Sequence, residues 1–251
     1  MKISATIITL NEADNIGDAC ASLEWADEIL VVDSGSTDET CALAREAGAR
    51  VLENPWPGFA RQKQFAVDNA VNDWIFSLDA DERVSDELKS SIQAVKQSAA
   101  LADGYRIARR SHYLGRWIRA GGWYPDWQLR LFRRNQGNWG NAVIHESVQM
   151  NPGATVAKLP GDILHYSVRD AAHHHQMIGE RYAPLAAQRM FDAGRRTNAW
   201  RIATAGPMAF FQSYVLKTGF RDGVPGLSIA GFAAHHAFLK HLMLWEKQRK
   251  N

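Results

Sequence analysis

A chain of 251 residues, 46% apolar and 22% charged, is long enough for one α/β domain with an appendage and too apolar for disorder. Its net charge of +2 excludes a nucleic-acid-type polycation. Cys20 and Cys41 both fall in predicted helices and read as buried free thiols.

Ile3–Leu10 is β-branched and short, the pattern of a buried strand, and Asn11-Glu12-Ala13-Asp14 offers capping residues for a helix through about Leu23. Glu28–Asp33 reads as a second strand, followed by the polar turn Ser34–Asp38. Thr37 is placed to cap a helix through about Ala47, which Gly48 ends. Arg50–Glu53 is a third strand, Gly58–Ala70 a helix, and Trp74–Leu78 a fourth strand that ends at Asp79. Ser85 caps a further helix through about Gln97. This alternation predicts a Rossmann-like, mostly parallel sheet with helices on both faces.

Ligands on such sheets bind beyond the carboxyl ends of the strands. Thr9, Asn11 and Glu12 fall there after the first strand, Asp33, Ser34 and Gly35 after the second, and Asp79 and Asp81 after the fourth. Two carboxylates one residue apart at a strand end suit Mg²⁺ or Mn²⁺, which takes oxygen ligands and shares them with substrate phosphates. A solvated acidic turn is the alternative for Asp79-Ala80-Asp81, and plain turn capping the alternative for Asp33. On a helix Arg61 and Lys63 point to different faces, so one of them can contact phosphate while the other is solvated.

From Asp103 to about Tyr166 short strands are expected at Gly104–Ile107, Leu129–Phe132, Ala142–Val148 and Ile163–Tyr166, between Gly- and Trp-rich loops. After Asp170 the chain reads as helical. His173-His174-His175 diverge on a helix and read as its solvated start. From Arg195 onward nine Lys and Arg stand against Asp222 and Glu246, interleaved with Trp200, Phe210, Phe211, Tyr214, Phe220, Phe232, Phe238 and Trp245. A basic, aromatic segment whose uncharged runs are too short to span a bilayer suits an anionic membrane surface; simple packing on the core is the alternative. Met1-Lys2 leads straight into a strand-like run with no cleavage site, and a cytosolic location is the expectation.

The runs Ser4–Glu12, Val31–Asp38, Gly58–Asn69 and Leu78-Asp79-Ala80-Asp81-Glu82, in that order and spacing, resemble the family 2 glycosyltransferases of GT-A fold. Gly121–Phe132, Val143-Ile144-His145-Glu146 and Gly219–Gly226 are similar to a subgroup that glucosylates an inner-core heptose of lipopolysaccharide. The resemblance implies a metal-dependent, inverting hexosyltransferase. Residues 3–100 would form the nucleotide-sugar half, 101–169 the acceptor half, and 170–251 a helical, membrane-associating segment. It also implies roles. Thr9, Asn11 and Glu12 would contact the nucleoside, Asp33 the pyrimidine with Ser34 and Gly35 lining the site, and Asp79 the ribose and donor sugar. Asp81 would bind Mg²⁺ or Mn²⁺ with Asp79 near it and His165 completing the site, and Arg61 or Lys63 would approach the diphosphate. The catalytic base of many members lies in a Glu-Asp pair, where this chain has His145-Glu146-Ser147; the role passes to Glu146, with Asp126 as the rival.

The implied donor is a nucleotide-diphosphate sugar, UDP-glucose, and the implied acceptor a lipid A–core intermediate at the inner face of the cytoplasmic membrane; no nucleic-acid partner is expected. Another lipid-linked or polysaccharide acceptor is the alternative. A nucleotidyltransferase would need a Gly-rich basic loop after the first strand and a dinucleotide oxidoreductase a G-x-G-x-x-G there, and neither is present. A non-enzymatic membrane-surface adaptor would leave Asp33, Asp79 and Asp81 as turn residues.

Overall fold

A computed structural model of the protein describes residues 1–98, 101–140 and 147–250. In chain order its elements are β1 (Ile3–Thr9), α1 (Ala13–Ala21), β2 (Glu28–Asp33), α2 (Thr40–Glu46), β3 (Arg50–Glu53), α3 (Phe59–Asn69), β4 (Trp74–Asp79), β5 (Glu82–Val84) and α4 (Asp86–Gln97). There follow β6 (Gly104–Tyr113), β7 (Arg116–Trp117), β8 (Asp126–Arg133), β9 (Gly137–Trp139), β10 (Val148–Met150) and β11 (Val156–His165). The helices α5 (Ala171–Gln176), α6 (Ala183–Asp192), α7 (Ala199–Phe211) and α8 (Gly223–Lys250) follow, with short π-helical turns at Met177–Tyr182 and Gln212–Leu216 and a 3-10 turn at Gly219–Asp222. They form two compact units, Met1–Arg109 with Trp127–His165, and Arg110–Asp126 with Tyr166–Asn251.

The first unit is built on a sheet of order β3-β2-β1-β4-β8-β6-β11-β5. The pairs β3–β2, β2–β1 and β1–β4 are parallel, whereas β4–β8 and β11–β5 are antiparallel. All seven residues of β1 are buried, as a central strand covered on both faces requires. Successive residues feed two separate cores. Ile7, Val31 and Phe76 pack with Ile16 of α1, Ala44 of α2 and Leu88 of α4. Ile8, Val32 and Ile75 pack with Ala66 and Val67 of α3. The period of two thus places α1, α2 and α4 on one face and α3 on the other.

Some local expectations are corrected. Thr37 does not cap α2: its N–H donates to Asn11 Oδ1, and Asp38 Oδ1 accepts from the N–H and hydroxyl of Thr40, so the helix begins later. Ser85 caps α4 as expected, accepting from Leu88 N at 3.3 Å. The strands β6, β8 and β11 all run longer than their apolar cores suggested, because charged residues occupy the half-exposed positions of antiparallel strands. Most of the Ala142–Val148 segment lies outside the described residues, and β10 starts at its last residue.

In the second unit α7 lies along α8. Gly206 permits this: a Cβ there would stand 3.3 Å from the Ala234 carbonyl of α8. At Gly226 a Cβ would collide with the Gly219 carbonyl oxygen, so the Gly219–Gly226 stretch is a tight backbone contact that only glycine allows. Asp222, 1% exposed, accepts from Arg119 N and pairs with Arg116. No described helix is long and apolar enough to cross a membrane.

His174 is not solvated, contrary to the expectation for the histidine triplet. It is buried, its Nδ1 lies 3.0 Å from the Tyr113 hydroxyl, and its ring packs at 4.2 Å on Phe232. Burial, reinforced by His173, pushes its pKa down from 6.5 to about 4. The native state therefore excludes a proton that the unfolded chain binds below pH 6.5. Stability is full above 6.5 and falls as pH drops toward 4, by up to about 3 kcal/mol from this residue. Urea denaturation between pH 7 and 4 should show the decline, and His174→Phe should make it shallower.

Candidate active site

The carboxyl ends of three parallel strands lie side by side. Across the central β1, Thr9 is level with Asp33 of β2 and Ile8 with Asp79 of β4. The turn after each strand is fixed by polar side chains. Asp33 is 1% exposed and accepts from Gly35 N, Ser36 N and Ser36 Oγ at 2.8, 2.7 and 2.5 Å. Gly35 adopts φ +99°, open to glycine at little strain. Ser34 N donates to the Thr9 carbonyl, and Ser34 Oγ accepts from Gln62 of α3. Asn11 takes a left-handed φ of 53°; its backbone N–H donates to Ser36 Oγ and its side-chain Oδ1 accepts from Thr37 N. The Thr9 hydroxyl is buried with no hydrogen bond among the described residues.

The Asp79–Glu82 turn separates two carboxylate roles. Asp79 Oδ1 is 2.8 Å from Lys63 Nζ, and Oδ2 is 3.0 Å from Arg130 Nη2. Burial works to raise the Asp79 carboxyl, but these two cations outweigh it and hold the group far below the usual carboxylate range. Arg130 also reaches Glu82 at 2.8 Å, and Arg109 stands 3.3 Å from the same oxygen. Burial opposes the guanidinium charge; Glu82 and Asp79 hold it protonated above the ordinary Arg range. Glu82 is fully buried, and its other oxygen accepts from Asp79 N. Lys63, 5% exposed, also lies over the Trp139 ring at 4.8 Å, whereas Arg61 is exposed on α3.

Asp81 points elsewhere. Its Oδ2 is 3.3 Å from His165 Nε2, because the β11–β5 register sets His165 opposite Glu82. The His165 Nδ1 is buried without a hydrogen bond among the described residues. At metal–ligand distances of about 2.1 Å, two ligands at right angles stand about 3 Å apart, so this carboxylate–imidazole pair fits one Mg²⁺ or Mn²⁺. The described residues form no cluster of three or more His, Cys, Asp or Glu that could hold a metal. Arg83 donates to the Ala80 and Glu82 carbonyls and to Asn15 of α1, tying this turn to the first turn of α1. Burial pushes the Glu12 carboxyl up; the Asn15 hydrogen bond counters it, and the charges of Asp81 and Asp38 push it further.

Residues 4–152 match the model of glycosyl transferase family 2. The chain is 32% identical, over 98% of its length and 93% of the relative's, to the lipopolysaccharide core biosynthesis glycosyltransferase LpsC of Rhizobium meliloti (strain 1021). The chain belongs to glycosyltransferase family 2. An uncharacterized glycosyltransferase of Rickettsia felis is 31% identical over 100% of this chain and 92% of its own. Among solved structures, glucosyl-3-phosphoglycerate synthase from Mycobacterium tuberculosis, in complex with Mn²⁺, UDP and its product, is similar at 24% identity, covering 45% of this chain and 44% of its own with a TM-score of 0.34.

As a family 2 glycosyltransferase, the protein gathers Thr9, Asn11, Glu12, Asp33, Ser34, Gly35, Lys63, Asp79, Asp81 and His165 in its first unit, along the carboxyl edge of the parallel strands and on the strand beside β5. Asp126 opens β8, partly buried, in the second unit. Glu146 lies outside the described residues. Sequence reasoning gave no role to Arg130, Gln62 or Arg109. The signal for Arg130 was its place in Leu129-Arg130-Leu131-Phe132, a charge inside an apolar strand run, which must be paired if buried.

Proposed function

We propose that this glycosyltransferase moves glucose from UDP-glucose, with inversion, to an inner-core heptose of a lipid A–core acceptor at the inner face of the cytoplasmic membrane. The observation that carries the donor half is the Asp81–His165 pair at 3.3 Å, beside the Asp79–Lys63–Arg130 cluster at the sheet edge. Near full-length likeness to LpsC supports the acceptor class.

Asp81 and His165 would hold Mg²⁺ or Mn²⁺, which supplies charge neutralisation for the departing diphosphate. Asp33 and the Ser34–Gly35 turn receive the pyrimidine, Thr9 offers its unused hydroxyl, and Asn11 and Glu12 complete the nucleoside contacts. Lys63 and Arg130 fix Asp79 against the ribose and donor sugar. A carboxylate, Glu146 or Asp126, takes the acceptor hydroxyl proton as that oxygen attacks the anomeric carbon. The bond to the diphosphate oxygen breaks on the opposite face, and UDP leaves with the electron pair.

Incubation with a panel of nucleotide sugars and truncated core lipopolysaccharide, with products weighed by mass spectrometry, should give one hexose added from UDP-glucose. Transfer from another donor or to another glycolipid would replace that part of the proposal. Glu146→Gln and Asp126→Asn should separate the two candidates for the base. The true base variant loses about a hundredfold or more in kcat while UDP affinity is kept.

A further inference from the structure

The second unit carries an apolar surface that its own fold leaves uncovered. Trp200, Met208, Phe211, Leu216, Phe220 and Val224 are each between 50 and 75% exposed, within one stretch of 25 residues. On α7 the spacing 200, 208, 211 sets three of them on one stripe, and Gly206, which faces Ala234 of α8, lies on the opposite side of the helix. The stripe therefore points away from α8. Side chains of this size exposed together mark an interaction surface.

The charge around the stripe selects the occupant. Arg195, Arg196, Arg201, Lys217 and Arg221 are exposed, and Asp222, the only acid between 195 and 227, is buried and paired with Arg116. A second copy docked on this surface would bring like charges together at a cost. An anionic lipid monolayer meets both features, with apolar side chains entering the acyl boundary and cations at headgroup level.

We propose that α7, the turn after it and the start of α8 form an interfacial membrane-docking face, entered by Trp200, Met208 and Phe211 and held by Lys217 and Arg221. This deepens the lipid-linked acceptor reading and rests on it only for its biological purpose, since docking is measured without donor or acceptor.

The full chain should co-sediment with vesicles of phosphatidylethanolamine and phosphatidylglycerol and not with phosphatidylcholine vesicles. Lys217→Glu/Arg221→Glu should lower the partition coefficient about tenfold or more and reduce its salt dependence. The triple variant Trp200→Ser/Met208→Ser/Phe211→Ser should lower it at least tenfold with far-ultraviolet circular dichroism unchanged. On the unaltered protein, brominated lipids should quench tryptophan emission, and Trp200→Phe should remove most of that quenching. Equal binding by all variants, absence of binding to anionic vesicles, or quenching that survives Trp200→Phe overturns the proposal. So does a dimer seen by sedimentation that the triple variant abolishes while vesicle binding stays absent. UDP binding measured alongside separates the readings: if it persists without vesicle binding, only the docking face falls.

Discussion

Asp81→Ala should abolish metal-dependent UDP binding and lower kcat/KM on the order of a hundredfold or more. The two carboxylates of Asp79-Ala80-Asp81 have different surroundings, which makes the prediction specific. Asp79 has both oxygens within 3.0 Å of cations, so its charge is already matched by the protein. Asp81 Oδ2 stands 3.3 Å from an imidazole nitrogen, and a divalent cation is what would match an O,N pair at that spacing. Isothermal titration of UDP should therefore show affinity that rises with Mn²⁺ or Mg²⁺ in the parent and is flat in Asp81→Ala. His165→Ala should weaken the metal dependence in the same direction and by less, since carboxylate carries the charge. Thermal unfolding of both variants without nucleotide should move less than that of Arg130 variants, because Asp81 acts on Arg130 through its charge and without a direct ion pair. Undiminished metal-dependent UDP binding in Asp81→Ala would remove the site.

The parallel half of the sheet was legible because its signals are local. A β-branched run without alternation specified β1 as a strand covered on both faces, and Ser85 three residues before Leu88 specified the start of α4. Parallel register then brings Asp33 and Asp79 level with the end of β1, so order alone implied the shared edge. Thr37 has a capping side chain, but Asn11, 26 residues away, takes its N–H, and α2 starts only at Thr40 with Glu39 at its N-cap. That outcome is tertiary. So is the burial of His174, which needs Tyr113 and Phe232 around it. Arg130 belongs to the same class: its partners Asp79 and Glu82 lie 51 and 48 residues away. Its alternating strand could announce a buried charge but not the carboxylates that receive it.

Arg130→Met should lower stability by about 3–5 kcal/mol, because it leaves a carboxylate that water cannot reach. Glu82 is fully buried and Arg130 is its 2.8 Å partner; Arg109, at 3.3 Å on the same oxygen, is a weaker substitute. Asp79 would retain Lys63 but lose the clamp on its second oxygen. For a chain of this length the change corresponds to a drop in Tm of roughly 10 °C, measurable by calorimetry. Arg130→Lys should recover part of it, since one ammonium cannot span the two carboxylates as the guanidinium does. The decisive comparison is the double variant Arg130→Met/Glu82→Gln. Removing both charges eliminates the unpaired anion, so the double variant should be more stable than Arg130→Met alone, with an interaction energy on the order of 1–3 kcal/mol. Strict additivity of the two single variants would mean that the pair is not coupled, and that Asp79 is set by Lys63 and the strand geometry alone. Under coupling, the double variant also isolates function: with stability restored but Arg130 absent, donor binding should remain weakened because Asp79 has lost one of the two contacts that aim it.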